Sequence, residues 1–415
     1  MTLRARQGRA ASFAAIRPIG LAFTLVALLA ACSKGADSAP VPKGAAAQAS
    51  PSASLPAALV SPAAKTYTPV PTPAGDRLLD VQVGPGGSVT ALLSTACGRD
   101  RCLVLSSSTD GGRRWSRHGV TAIPAEPGAD DTCRRSCGAT KVLFVSGRVG
   151  YLFAPGLYVT HDGGKTWEHR PGSRTLDMVT SGGALIRLTS KGSGCPGPCG
   201  QQLERLNPTT GLWKVSYRYQ GYGIPGQMVP AGKGQAYALF GDNLASGVLH
   251  PPTLLRTVDG GRRWFTLKDG CAARGREAFV IAAMGSRVAL LCDTHRSGQE
   301  AGLISPDRGE TFAAISLPSP QVAGLLAFAG KRLLAAGPVG ISGEGTVDFT
   351  VSTLDRPGSW QQRLRDPAPL ASQLASGLAL VTSSSGEAAW IGDPFKLWLS
   401  PDDGSTWKAQ PVATM

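Results

Sequence analysis

The sequence predicts an all-β chain whose folded part is a seven-bladed β-propeller of four-stranded antiparallel blades, preceded by a signal peptide and a disordered linker. Two observations lead there. An octet recurs along the chain: "STDGGRRW" at 108–115, "THDGGKTW" at 160–167, "TVDGGRRW" at 257–264, "SPDRGETF" at 305–312 and "SPDDGSTW" at 400–407, with weaker copies "TLDRPGSW" at 353–360 and "LNPTTGLW" at 206–213. Its acidic or amide position falls at 110, 162, 207, 259, 307, 355 and 402, in steps of 45 to 52 residues, a period typical of propellers and solenoids. Before the octets, apolar runs alternate with glycine-bearing turns, as in "DVQVGPGGSVTALL", "VLFVSGRVGYLF", "DMVTSGGALIRL" and "VIAAMGSRVALL". Runs of that length bounded by such turns read as buried strands and hairpins.

The elements follow in chain order. Residues 1–31 carry Arg4, Arg6, Arg9 and Arg17, no acidic residue, and the apolar run "GLAFTLVALLAA". That run is too short to span a bilayer as a helix. A basic start, a short apolar centre and small residues at the end describe a signal peptide, with an N-terminal membrane anchor as the competing reading. Residues 32–75 are rich in Ala, Pro, Ser and Gly and read as a tether, because they offer too little apolar surface to offset the entropy of ordering. Residues 76–415 are assigned to the propeller. In each repeat the order is strand, hairpin, strand, loop, strand, octet, strand. The octet turns the third strand into the fourth. Its Asp accepts backbone N–H groups, its Gly takes the positive-φ position, and its aromatic is expected to pack back on its own blade. The structural set is Asp110 and Trp115, Asp162 and Trp167, Asp259 and Trp264, Asp307 and Phe312, and Asp402 and Trp407. These carboxylates are read as architectural, not catalytic.

The octets resemble the Asp-box, or BNR, repeat S/T-x-D-x-G-x-x-W, and residues 76–413 resemble the sialidase-like and WD40/YVTN/BNR-like propellers. The segment "LAAC" at 29–32 resembles the lipoprotein box, which implies cleavage before Cys32 and a diacylglycerol on its thiol. Two acyl chains make a stable membrane anchor. The resemblance to sialidases implies a Tyr nucleophile, an Arg-Ile-Pro stretch and three carboxylate-binding arginines. "RIP" is absent from the propeller, and the last tyrosine is Tyr237. Tyr217, Tyr219 and Tyr222 would require a permuted site. No catalytic residue is therefore assigned, no cofactor is expected, and a glycoside hydrolase of the cell envelope is the rival to a non-catalytic binding platform.

Formal charge is +14, and loss of residues 1–31 lowers it to +10. An exported chain argues against a nucleic-acid partner. The expected partners are the membrane, through the N-terminal lipid, and an envelope protein or anionic glycan, with the chain a monomer. Beyond Cys32, eight cysteines remain: Cys97 and Cys102, Cys133 and Cys137, Cys195 and Cys199, Cys271 and Cys292. In an exported chain they read as four disulfides in that order. Zinc competes for the close pairs, but the five histidines lack ligand spacing and no metal is assigned. The topology places all four pairs on the face opposite the octet turns, where the loops are longest. The same loops carry Arg99, Arg101, Arg134, Arg135, Arg170, Arg174, Tyr219, Tyr222, Arg274, Arg276, His295 and Arg296. That face is the candidate binding platform, against the plainer reading of a solvated rim with local staples.

Overall fold

A computed structural model describes residues 76–410, apart from 85–86, 98–99, 125–138, 192–199, 220–225, 241–252, 275, 294–300, 319–323, 342–345, 357–358, 370–378, 384–385 and 394–395. Cys32 and the two N-terminal segments lie outside these residues. Seven four-stranded antiparallel sheets are each built from four consecutive strands. Blade 1 is β1–β4 (Arg77–Val83, Val89–Cys97, Asp100–Ser108, Ser116–Pro124) and blade 2 is β5–β8 (Ala139–Phe144, Gly150–Pro155, Tyr158–Thr160, Glu168–His169). Blade 3 is β9–β12 (Arg174–Ser181, Ala184–Lys191, Gly200–Leu206, Trp213–Tyr219) and blade 4 is β13–β16 (Gln227–Gly232, Gln235–Phe240, Thr253–Thr257, Phe265–Thr266). Blade 5 is β17–β20 (Glu277–Met284, Arg287–Asp293, Ala301–Ser305, Ala313–Ile315) and blade 6 is β21–β24 (Leu325–Ala329, Arg332–Ile341, Thr346–Arg356, Ser359–Pro369). Blade 7 is β25–β28 (Ala379–Thr382, Ala388–Asp393, Lys396–Ser400, Lys408–Gln410).

Every octet joins a third strand to a fourth, as the repeat pattern predicts. Burial grades outward across a blade. The second strand β14 is buried almost throughout, whereas the outer strands β8 and β16 are fully exposed pairs of residues. Among the described residues no strand is borrowed between the chain ends, and side chains close the ring. Leu78, Val81 and Leu93 of blade 1 pack with Ala389, Ile391 and Leu399 of blade 7.

The octet turn is a small hydrogen-bonded unit. Ser108 Oγ donates to Asp110 Oδ1 at 2.9 Å and accepts the Gly112 amide at 2.9 Å. Asp110 Oδ1 then accepts the Arg113 and Arg114 amides at 3.0 and 2.9 Å. The same hydroxyl-to-Asp and glycine-to-hydroxyl bonds recur at Thr160, Thr257, Ser305 and Ser400. In blade 3 Asn207 Oδ1 accepts the Thr209 amide at 2.9 Å, and Gly211 takes φ 67°. Asp307 is held down at about 2, first by the Thr311 hydroxyl and then by the Thr311 amide and Ser305. Asp162 is likewise lowered, with the Thr166 hydroxyl as its largest cause.

The octet aromatic does more than the sequence reading assigned to it. It lies in the seam with the preceding blade and not only against its own. Trp115 joins blades 7 and 1, Trp167 blades 1 and 2, Trp213 blades 2 and 3, and Trp264 blades 3 and 4. Phe312, Trp360 and Trp407 do the same for the next three seams. The second octet glycine faces that seam too. A Cβ on Gly112 would stand 2.6 Å from Leu399 Cδ1, and at φ +85° the backbone also favours glycine. Hence the octet spacing sets both the hairpin and the lateral packing of one blade on the last.

Candidate functional site

The face opposite the octet turns is stapled where the sequence places staples. Cys97 and Cys102 are bonded across the β2–β3 hairpin, with Cα atoms 5.8 Å apart. Cys271 and Cys292 are bonded with Cα atoms 5.5 Å apart, joining the approach to β17 to the end of β18. Both bridges sit at the same end of their blades. Cys133, Cys137, Cys195 and Cys199 lie outside the described residues, as do Arg99, Arg134, Arg135, Tyr222, His295 and Arg296. No group of His, Cys, Asp or Glu able to hold a metal occurs among the described residues.

The described platform residues divide. Arg174, at the start of β9, is exposed, and so is Arg170. Arg274 ends a 3₁₀ turn over Ala272–Arg274, and its guanidinium donates to Gly270 O at 3.0 Å. Arg276 is half-buried, and its amide donates to Cys271 O at 3.1 Å. Arg101 is used inside its own hairpin, donating to Ser94 Oγ at 2.5 Å and Ser94 O at 2.7 Å. Tyr219 corrects the expectation. It is buried, with its ring stacked on Phe240 at 4.6 Å, because β12 turns that side of blade 3 toward blade 4. It belongs to the core and is not offered to a partner.

The seven inner strands enclose a central cavity of ≈ 950 Å³. Its wall carries charged groups on blades 1–3, at Asp80, Lys141 and Asp177, and none on blades 5–7, where Ala283, Met284, Leu326, Leu380 and Val381 line it with Thr382 and Ser383. Lys141 Nζ lies 3.2 Å from Asp177 Oδ1. Asp177 chiefly holds the Lys141 ammonium in its charged form, raising its pKa against the cost of burial. Burial pushes Asp80 up to about 6, with the Val142 amide and Lys141 acting the other way.

These carboxylates are engaged by backbone. Asp80 Oδ2 accepts the Val142 amide of blade 2 at 2.8 Å. Asp177 Oδ2 accepts the Met228 amide of blade 4 at 2.9 Å. Gln82 holds Phe144 through both its amide and carbonyl groups, at 2.6 and 2.8 Å, and Gln227 Oε1 accepts the Ile281 amide at 3.1 Å. Neighbouring inner strands run side by side without a ladder between them, and these side chains satisfy amides that would otherwise face the cavity unpaired. The sequence reading missed this lacing. Its signal was present: a charged or amide side chain opens the first apolar run in blades 1 to 4 ("DVQV", "KVLF", "DMVT", "QMVP") and none occurs in those of blades 6 and 7 ("LLAFA", "ALVT").

No family model matches the chain, and no curated protein matches it by sequence. Solved structures match by shape. YCF48 bound to D1 peptide is 17% identical, covering 66% of this chain and 80% of that one at a TM-score of 0.41. The GH74 xyloglucanase from Xanthomonas campestris is 16% identical, covering 79% of this chain and 63% of that one at 0.31. The acylaminoacyl peptidase of Pyrococcus horikoshii is 9% identical, covering 80% of this chain and 52% of that one at 0.50. The propeller fold rests on the seven sheets themselves, and likeness at such identity leaves function to the residues.

Proposed function

We propose that the chain is an exported lipoprotein whose propeller serves as a non-catalytic binding platform for an envelope protein or an anionic glycan. Cys32 carries the lipid, residues 33–75 form the tether, and the octets are Asp-box repeats. One observation carries the non-catalytic reading. The octet carboxylates are consumed by the amides of their own turns, and Asp80 and Asp177 by the amides of the next blade. A carboxylate tied to backbone N–H groups in this way maintains the scaffold and is poorly placed to exchange protons with a substrate. The disulfide-stapled loop face, with Arg174 and Arg274 exposed on it, presents fixed positive charge to an acidic partner.

The test is capture from the native envelope with the mature lipoprotein as bait. The parent should retain a specific partner that Arg174→Glu with Arg274→Glu releases, at unchanged melting temperature. Turnover of a fluorogenic glycoside, lost on changing one loop-face acidic or Tyr residue, would establish the glycosidase instead. Cys32→Ser should leave the membrane fraction or stall in processing. A mutant that fractionates and migrates like the parent would refute the anchor.

A further inference from the structure

The octet-turn face has a chemistry of its own. Among the described residues, four of the five exposed large apolar side chains stand on or beside the turns of blades 2, 3 and 4. They are Val145 at 41%, Leu212 at 69%, Val258 at 48% and Phe265 at 47%. Val145 lies in the β5–β6 turn, Leu212 in the β11–β12 turn and Val258 in the β15–β16 turn, all at one end of the ring.

Positive charge surrounds them. Arg113, Arg114, Arg148, Lys165, Lys233 and Arg262 are exposed on the same turns of blades 1, 2 and 4, and none is in an ion pair among the described residues. The carboxylates on those turns, Asp110, Asp162 and Asp259, bind the amides of their own octets. The basic stretch stops at the neighbouring blade 7, whose turns carry Glu387, Asp402 and Asp403.

The surface is also stiff. In blades 1, 2 and 4 the octet turn donates an amide to the inner turn beside it: Gly111 to Gly87 O, Gly163 to Arg148 O, and Gly260 to Gly234 O, at 2.8–3.1 Å. Arg205 Nε reaches from blade 3 to Gly260 O of blade 4 at 2.9 Å. The apolar tips are therefore held outward in a fixed array.

Aliphatic tips projecting from rigid turns, with unpaired arginine and lysine on the turns of blades 1, 2 and 4, match the interfacial layer of a negatively charged bilayer. There the cations meet headgroups and the tips enter the acyl boundary. A protein hot spot would instead centre on aromatic anchors filling pockets, whereas the three turn tips are aliphatic and the one aromatic beside them, Phe265, is a residue type that the interfacial layer also accepts. We propose that the octet-turn face of blades 1–4 docks on an anionic lipid surface through Val145, Leu212 and Val258 and the basic side chains around them. This site is separate from the loop-face platform, and the docking does not depend on a lipid at Cys32.

The experiment is vesicle co-sedimentation of the full chain carrying Cys32→Ser, so that no acyl group on that thiol contributes. Vesicles of phosphatidylcholine alone are compared with an equal mixture of phosphatidylglycerol and phosphatidylcholine. The neutral vesicles register any contribution from the N-terminal apolar segment. Binding should be confined largely to the anionic vesicles and weaken steeply with salt. Arg113→Glu, Arg148→Glu, Lys165→Glu and Arg262→Glu combined should lower the partition coefficient at least about 100-fold. Leu212→Ser with Val258→Ser should lower it about tenfold. Unchanged melting temperatures would show that the variants fold. Equal binding to both vesicle types, or parent-like binding by the charge-reversal variant, would overturn the proposal. If the reversal releases an acidic soluble protein while the parent binds no anionic vesicle, the face docks a protein and the lipid assignment fails.

Discussion

The carboxylate of Asp80 in blade 1 accepts the Val142 amide of blade 2 at 2.8 Å, while burial raises its pKa to about 6. The group stitches two blades and is also costly to ionise. In the unfolded chain it titrates near the ordinary 3.8, so between about pH 4 and 6 the folded state holds the extra proton. The contribution of Asp80 is thus fully present below about pH 4, falls as pH rises through 6, and is level above. Asp80→Asn keeps a carbonyl acceptor for Val142 and removes the buried charge. It should melt higher than the parent at pH 8 and like the parent at pH 3.5. Equal melting at both pH values would show that Asp80 is well solvated in the cavity.

Trp407 is 2% exposed, donates its indole N–H to Gly404 O at 3.0 Å, and wedges blade 6 against blade 7. Trp407→Ala should cost about 3–5 kcal/mol in chemical denaturation, as for a large buried aromatic. Trp407→Phe should cost distinctly less, since Phe312 fills the equivalent seam between blades 4 and 5. Equal losses in the two variants would mean that the indole hydrogen bond, and not the ring volume, holds the seam.

The octet hydroxyl is expected to matter as much as the octet acid. Ser400 Oγ accepts the buried Gly404 amide at 3.0 Å and donates to Asp402 at 2.9 Å. Ser400→Ala leaves that amide unpaired and should cost about 1–3 kcal/mol. In blade 5 the Thr311 hydroxyl and amide help hold Asp307 near 2. A depressed acid stabilises the fold fully above its unfolded pKa and loses that contribution as pH falls from about 4 towards 2. Thr311→Val should bring the Asp307 titration, followed by carboxyl NMR, back toward the usual carboxylate range. An unmoved titration would mean that the backbone amides alone set it.

Blade number and phase were legible because the octet needs a hydroxyl, an acid and a glycine at fixed spacing to close one turn. The second strands were legible because they are buried almost throughout and read as apolar runs, and the inner strands because a glycine-bearing turn ties each to its second strand. The outer strands were not. β8 is Glu168–His169 and β16 is Phe265–Thr266, both exposed, and nothing in such pairs separates strand from loop. The packing of Trp115 on blade 7 was equally hidden, because a seam between chain ends leaves no local spacing in the sequence. Tyr219 misled for a related reason: a tyrosine near a loop looks exposed until the partner ring, Phe240, is placed beside it. Asp80 and Asp177 broke apolar runs at visible positions, but their partners are amides of other blades, and amides carry no sequence signature.

The cysteines give the sharpest check on strand order. Cys271 precedes β17 and Cys292 is the last residue but one of β18, where Ala278 pairs with Cys292, so the two sulfurs meet at one end of blade 5. Both residues are fully buried, and the bridge closes a sequence separation of 21. Chain-entropy arithmetic gives about 3 kcal/mol for a loop of that size and about 2 kcal/mol for the five-residue separation of Cys97 and Cys102. Cys271→Ala with Cys292→Ala should therefore destabilise the chain more than Cys97→Ala with Cys102→Ala, and the buried pair should be the slower to reduce in the native state. Non-reducing peptide mapping should show 97–102 and 271–292, and we propose 133–137 and 195–199 beside them. A bridge such as 102–271 would join distant blades and contradict the strand order. Free thiols at 133, 137, 195 and 199 with stoichiometric zinc would replace those two proposed bridges by a metal site on the same loops.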